Sequence, residues 1–136
     1  MKVLLIHHDA AVLRPIEWAA RSRGHDVRSV DTVRQAADAA ELGHADAVIV
    51  ALPLAEGSIA ALRAAVGEAS PIAAVCLEPS RVDPLDARHL LLAVSYERGS
   101  AGLHRLLDTL DHWSTLSVRA RARLLQARAD GDTLLD

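Results

Sequence analysis

The chain has 136 residues, 51% hydrophobic and 24% charged, enough to bury one core and not two. A formal net charge of −3 argues against a protein built mainly for non-specific binding to nucleic acid or an acidic membrane. A single cysteine, Cys76, excludes an internal disulfide and a cysteine-built zinc site.

The N-terminus carries Lys2 and then only Val3 to Ile6 before His7-His8-Asp9. That apolar stretch is too short for the core of a signal peptide. The longest apolar run, residues 47–55, contains Pro53 and is too short to span a bilayer. The expectation is a soluble cytoplasmic protein with no membrane contact. Val3-Leu4-Leu5-Ile6 is continuously apolar, as in a central parallel strand covered on both faces. Asp9 is placed to cap a helix that carries Val12, Leu13, Ile16, Ala19 and Ala20 on one face. Pro15 sits too deep for a free first-turn position, which predicts a kink or a late start. Gly24 is the stop signal. Trp18 lies opposite the apolar stripe and is a candidate anchor for a partner. Residues 26–30 read as a second strand. Thr32 with Gln35 forms a capping-box pattern for a helix through Leu42, ended by Gly43. Residues 47–50 are a third, fully buried strand, and residues 58–66 a third helix stopped by Gly67. Residues 72–77 and 90–94 are the fourth and fifth strands. Ser100 caps a last helix with Leu103, Leu106, Leu107, Leu110 and Trp113 at helical spacing. Trp113 is therefore expected in the core or at a joint between the domain and its tail.

Strands alternating with helices imply a parallel sheet covered on both faces. With right-handed connections this predicts an α/β, flavodoxin-like, doubly wound five-stranded sheet in the order 2-1-3-4-5. Residues 78–89, which include Pro79 and Pro84, leave room for a turn or two of helix, so the fourth helix is expected to be shortened or missing. The expected division is a domain over residues 1–113 and a helical tail over 114–136. In such folds the site lies at the carboxyl ends of the strands. That edge holds His7, His8, Asp9, Ala51 to Leu54, Cys76 to Glu78 and the residues after Val94.

Three local patterns give the chain a family resemblance: Lys2-Val3-Leu4-Leu5-Ile6-His7-His8-Asp9, Gly24-His25-Asp26-Val27, and Ala45-Asp46-Ala47-Val48-Ile49-Val50-Ala51-Leu52-Pro53-Leu54. Together with the element order they resemble a response-regulator receiver domain of two-component phosphorelay signalling, over roughly residues 1–113. The resemblance implies a carboxylate nucleophile after strand three and an acidic pair after strand one that holds Mg²⁺. It also implies a hydroxyl after strand four and a lysine after strand five, both facing the phosphoryl oxygens. This sequence departs at nearly every position. Ala51 stands where the nucleophile is expected. No Asp lies between Ala47 and Ser58, and Glu56 comes several residues late in the loop. His7 and His8 stand where the metal pair is expected, and imidazole suits softer metals than Mg²⁺. Asp9 reads as a cap, and Cys76 takes the hydroxyl position. No lysine follows Lys2 anywhere in the chain. The resemblance thus implies a degenerate member, a pseudo-receiver, with a vestigial pocket at His7, His8, Asp9, Ala51 and Cys76.

Other readings of these residues stand beside that one. His7 and His8 near Cys76 could hold a transition metal, but adjacent strand residues point to opposite faces and no third ligand is evident, so no metal and no cofactor are expected. Cys76 as a nucleophile lacks an evident oxyanion hole and reads as a small apolar strand residue. In the tail, Arg119 and Arg123 fall on one side of a helix and Arg121 and Arg128 on the other. Their charge is nearly offset by Asp130, Asp132 and Asp136, which argues against nucleic acid. The expected function is non-enzymatic: an interaction and regulatory module that meets a protein partner or a second copy in a homodimer. The alternatives are a small-ligand or transition-metal sensor in the vacated pocket, and a DNA-associated transcription regulator. Twenty or so residues after the core are too few for a helix-turn-helix domain.

Overall fold

The computed structural model describes residues 1–43, 45–54, 57–67, 69–77, 83–95 and 101–129. In chain order the elements are β1 (Lys2–Ile6), α1 (Ala10–Ser22), β2 (Asp26–Val30), α2 (Val33–Glu41), β3 (Ala47–Leu52), α3 (Ile59–Val66), β4 (Ile72–Cys76), α4 (Pro84–Ala87), β5 (Leu92–Ser95), α5 (Ala101–Thr115) and α6 (Val118–Ala129). The strands form one sheet in the order β2-β1-β3-β4-β5, every neighbouring pair parallel. This is the doubly wound topology that the alternation of elements predicts, with a fourth helix of four residues.

Side chains alternate across the sheet and build two apolar layers. Val3, Leu5, Ile49, Val75 and Val94 meet Leu13 and Ile16 of α1 and Leu103, Leu106, Leu107 and Leu110 of α5. Leu4, Ile6, Val48, Val50, Ile72 and Ala74 meet Ala36 and Ala39 of α2, Ile59 and Leu62 of α3, and Leu90. Each fully buried Leu, Ile or Val contributes roughly 1.5–3 kcal/mol. The two-sided burial of β1, β3 and β4 is why their sequences are continuously apolar.

Local signals set the helix ends. Asp9 Oδ1 accepts from the Ala11 amide at 2.9 Å, Thr32 Oγ1 from Gln35 at 3.2 Å, and Ser58 Oγ from Ala61 at 3.1 Å. The return half of the expected capping box lands one residue early: Gln35 Oε1 accepts from the Asp31 amide at 2.7 Å. With Asp9 as cap, α1 starts at Ala10 and not late. Pro15 lies inside it, on the exposed side. The fifth strand begins at Leu92 and not at residue 90, because residues 88–90 close the turn of α4: the His89 amide donates to Asp86 O and the Leu90 amide to Ala87 O. Ser100, the expected cap of α5, lies outside the described residues. At the other end α5 runs on to Thr115. A Cβ on Gly102 would stand 2.5 Å from the Ser95 carbonyl oxygen, so the first turn of α5 lies this close to β5 only with glycine there.

Arg63 joins elements that the sequence alone does not connect. It is buried, and its guanidinium donates to the carbonyls of Gly67 at 2.9 Å, Ser70 at 2.5 Å and His89 at 2.8 Å. The end of α3, the approach to β4 and the exit of α4 are thereby fastened to one side chain. Among the described residues no helix is long and apolar enough to cross a membrane.

Candidate functional site

Parallel strands end together, so the residues that follow β1, β3 and β4 share one edge. His7 follows directly on β1, its amide donating to Val30 O at 3.2 Å. The ladder pairs Ile6 with Val50, Ala51 with Val75 and Leu52 with Cys76. The end of β3 is therefore enclosed by β1 and β4, and Ala51 is 1% exposed.

His7 is buried although polar, 4% exposed. The Asp9 backbone N–H donates to its Nδ1 at 3.0 Å. An amide only donates, so Nδ1 carries the lone pair and the proton sits on Nε2. Burial, and next the adjacent His8, push the His7 pKa below its ordinary 6.5, against a smaller opposing pull from Asp9. The ring is thus held neutral. The His8 ring lies against it, centroids 4.2 Å apart and planes tilted by 30°. The expectation that the two histidines point to opposite faces is corrected here. β1 ends at Ile6, and alternation no longer governs residues beyond a strand.

Asp9 spends Oδ1 on the Ala11 amide as the cap of α1. Cys76 is partly buried with Leu52 and the α2–α3 layer. Ala51, by alternation, shares the side of Ile49 and Val75 that faces α1 and α5. Desolvation raises the Cys76 thiol pKa, which keeps it protonated and weakens it as a nucleophile or metal ligand. Among the described residues no three His, Cys, Asp or Glu side chains are grouped to hold a metal. Glu56 and Glu78 lie outside the described residues. Lys2 begins β1, at the opposite edge of the sheet, about 17 Å away for five strand residues.

Two further candidates are separate from this edge. Trp18 is 74% exposed on α1, and Trp113 is 2% exposed in the core. Trp113 is also the joint with the tail: its carbonyl accepts from Arg121 Nε at 3.1 Å, and the Arg121 guanidinium sits 5.8 Å from its ring centre. A third cluster, at the opposite edge, is invisible to local patterns. Arg23 bridges Asp108 and Asp111 of α5, and His25 Nε2 lies 2.7 Å from Asp111 Oδ1. Burial alone would raise the Asp111 pKa, but hydrogen bonds from Arg23 and His25 hold it below the ordinary carboxylate value. The only sequence signal was the Gly24-His25 turn. Its partners lie more than eighty residues away.

The chain superposes on solved receiver structures. Against a CheY-like response regulator receiver domain protein from Methanospirillum hungatei JF-1 the TM-score is 0.69 at 12% identity, covering 89% of this chain and 95% of that one. The fold is that of a response-regulator receiver. The N-terminal domain of a response regulator/sensory box/GGDEF three-domain protein from Carboxydothermus hydrogenoformans gives 0.64 at 17%, over 93% and 98% of the two chains. The pseudo-receiver domain of the CikA protein gives 0.62 at 19%, over 85% and 98%. No family model matches the chain, and no curated protein does. At these identities the likeness is one of receiver fold.

Proposed function

We propose that this chain is a pseudo-receiver: a receiver fold that takes no phosphoryl group and serves bacterial signal transduction as a protein-interaction module, not as an enzyme. The observation that carries this reading is Ala51, a buried methyl at the end of β3, in a chain whose one ammonium side chain begins β1 at the far edge. An acyl phosphate needs a carboxylate nucleophile. Mg²⁺ needs hard oxygen ligands. A neutral His7 and the His8 ring against it supply neither, which leaves Asp9, whose Oδ1 caps α1, as the one hard-oxygen side chain among residues 7–9. With no switch chemistry among the described residues of this edge, signalling rests on a fixed surface that a partner or a second copy reads. The four-residue α4 reshapes the side of the molecule beside β5, and Trp18 offers an exposed aromatic anchor.

Beryllofluoride with Mg²⁺ tests this, because the pair mimics a phosphoryl group only where a carboxylate and a cation site exist. The amide resonances of residues 7–9 and 51–52 are expected to stay in place at millimolar concentrations of both. Saturable shifts confined to those residues would overturn the proposal.

A further inference from the structure

The inward side of helix α6, at Arg121, Leu125 and Arg128, is only half-buried. None of its described residues is fully buried, and arginines on it bond to backbone oxygens of the domain. Arg121 donates to Trp113 O at 3.1 Å and Ser114 O at 3.0 Å and lies 5.8 Å from the Trp113 ring centre, and Arg128 Nε donates to Leu90 O at 3.1 Å. A twelve-residue helix without an apolar face against a core is marginal in water. Its outer side presents Arg119 and Arg123 one turn apart, with Leu124 beside them 42% exposed. Its sequence, VRARARLLQARA, contains no acid.

The complement stands on α2. There Asp38 and Glu41 are exposed at i, i+3 spacing, followed at once by Leu42, 66% exposed. Arg34 lies one turn farther back. No ion pair among the described residues involves Asp38, Glu41, Arg119 or Arg123. The two surfaces match in kind: two like charges a turn apart and an exposed leucine directly after the second. They cannot meet within one chain. α2 packs on β1, β2 and α3, whereas α6 spans from the end of α5 to the residue that ends the α4 turn, beside β5. β2 and β5 are opposite edges of the sheet, four interstrand steps or about 19 Å apart.

We propose that α6 of one copy docks on α2 of a second copy, Arg119 and Arg123 facing Asp38 and Glu41 while Leu124 and Leu42 are covered together. The contact joins two different surfaces, so two copies can exchange it reciprocally. It needs no chemistry at the carboxyl edge and stands apart from the pseudo-receiver reading. Exposed charges are screened by salt, so the association is weak and salt-sensitive.

Sedimentation velocity on the full chain, which retains the acids Asp130, Asp132 and Asp136 after α6, tests it. Wild type is expected to self-associate with rising concentration and to dissociate in high salt. The variants D38R/E41R and R119E/R123E are each expected to weaken self-association by about tenfold or more. Mixing them restores it, because basic α6 then meets acidic α2 and acidic α6 meets basic α2. Misfolding of either variant cannot produce that gain. A wild type monomeric at millimolar concentration, reversals without effect, or a mixture that stays monomeric would each overturn the proposal. So would a monomer whose Arg119 and Arg123 instead bind duplex DNA.

Discussion

His7 shows how one buried side chain links the carboxyl edge to pH. Its folded pKa lies below the ordinary 6.5, so as pH falls the unfolded chain takes up the proton first. Stability is then full above about pH 6.5 and is lost as pH falls from there through the depressed value. Calorimetry is expected to show Tm falling in that window. His7→Gln, which keeps an acceptor for the Asp9 amide, is expected to flatten the fall. An unchanged slope in the variant would contradict the assignment. Asp111 acts in a separate, more acidic window. Its pKa is lowered, so its contribution is present above the ordinary carboxylate value and lost as pH falls through the depressed one. At this scale the sequence reveals what a residue type cannot do: the methyl of Ala51 and the lack of lysine after Lys2 need no coordinates. It does not reveal that the His7 and His8 rings lie against each other, because strand alternation stops one residue before them. Nor does it pair His25 with Asp111, since no local rule reaches across eighty-six residues.

Between elements, a single arginine fastens three segments by hydrogen bonds. Arg63 satisfies carbonyls in three segments, the farthest twenty-six residues on. Arg63→Met keeps much of the side-chain volume but withdraws these donors, and is expected to cost about 2–4 kcal/mol in urea denaturation. Arg63→Lys, which keeps the charge without the planar fork, is expected to fall between wild type and Met. A loss below about 0.5 kcal/mol in Arg63→Met would show that the clamp is dispensable. The short α4 was legible from the length and prolines of residues 78–89. The start of β5 was not, because Leu90, Leu91 and Leu92 are equally apolar and only the closing bonds of the α4 turn separate them. Arg63 carries no local signal in the sequence; its role depends on burial by the fold.

For the whole molecule, the alternation of apolar strands and capped helices was enough to predict the sheet order, because parallel pairing with right-handed connections leaves few arrangements. The lie of α6 across the α5 end and the α4 turn was not predictable, since arginine-to-carbonyl bonds leave no apolar periodicity in the sequence. The division of side chains at α6, Arg121 and Arg128 inward and Arg119 and Arg123 outward, follows helical spacing and was legible. In this receiver fold the carboxyl edge and the outer surfaces of α2 and α6 are separate places. The central claim concerns the edge. Incubating the protein with a small-molecule phosphodonor and Mg²⁺, then recording its intact mass, tests that claim most directly. The account predicts an unmodified chain under conditions that fully label a receiver with an aspartate after its third strand. A stable added phosphoryl group, removed by hydroxylamine as an acyl phosphate is, would contradict it.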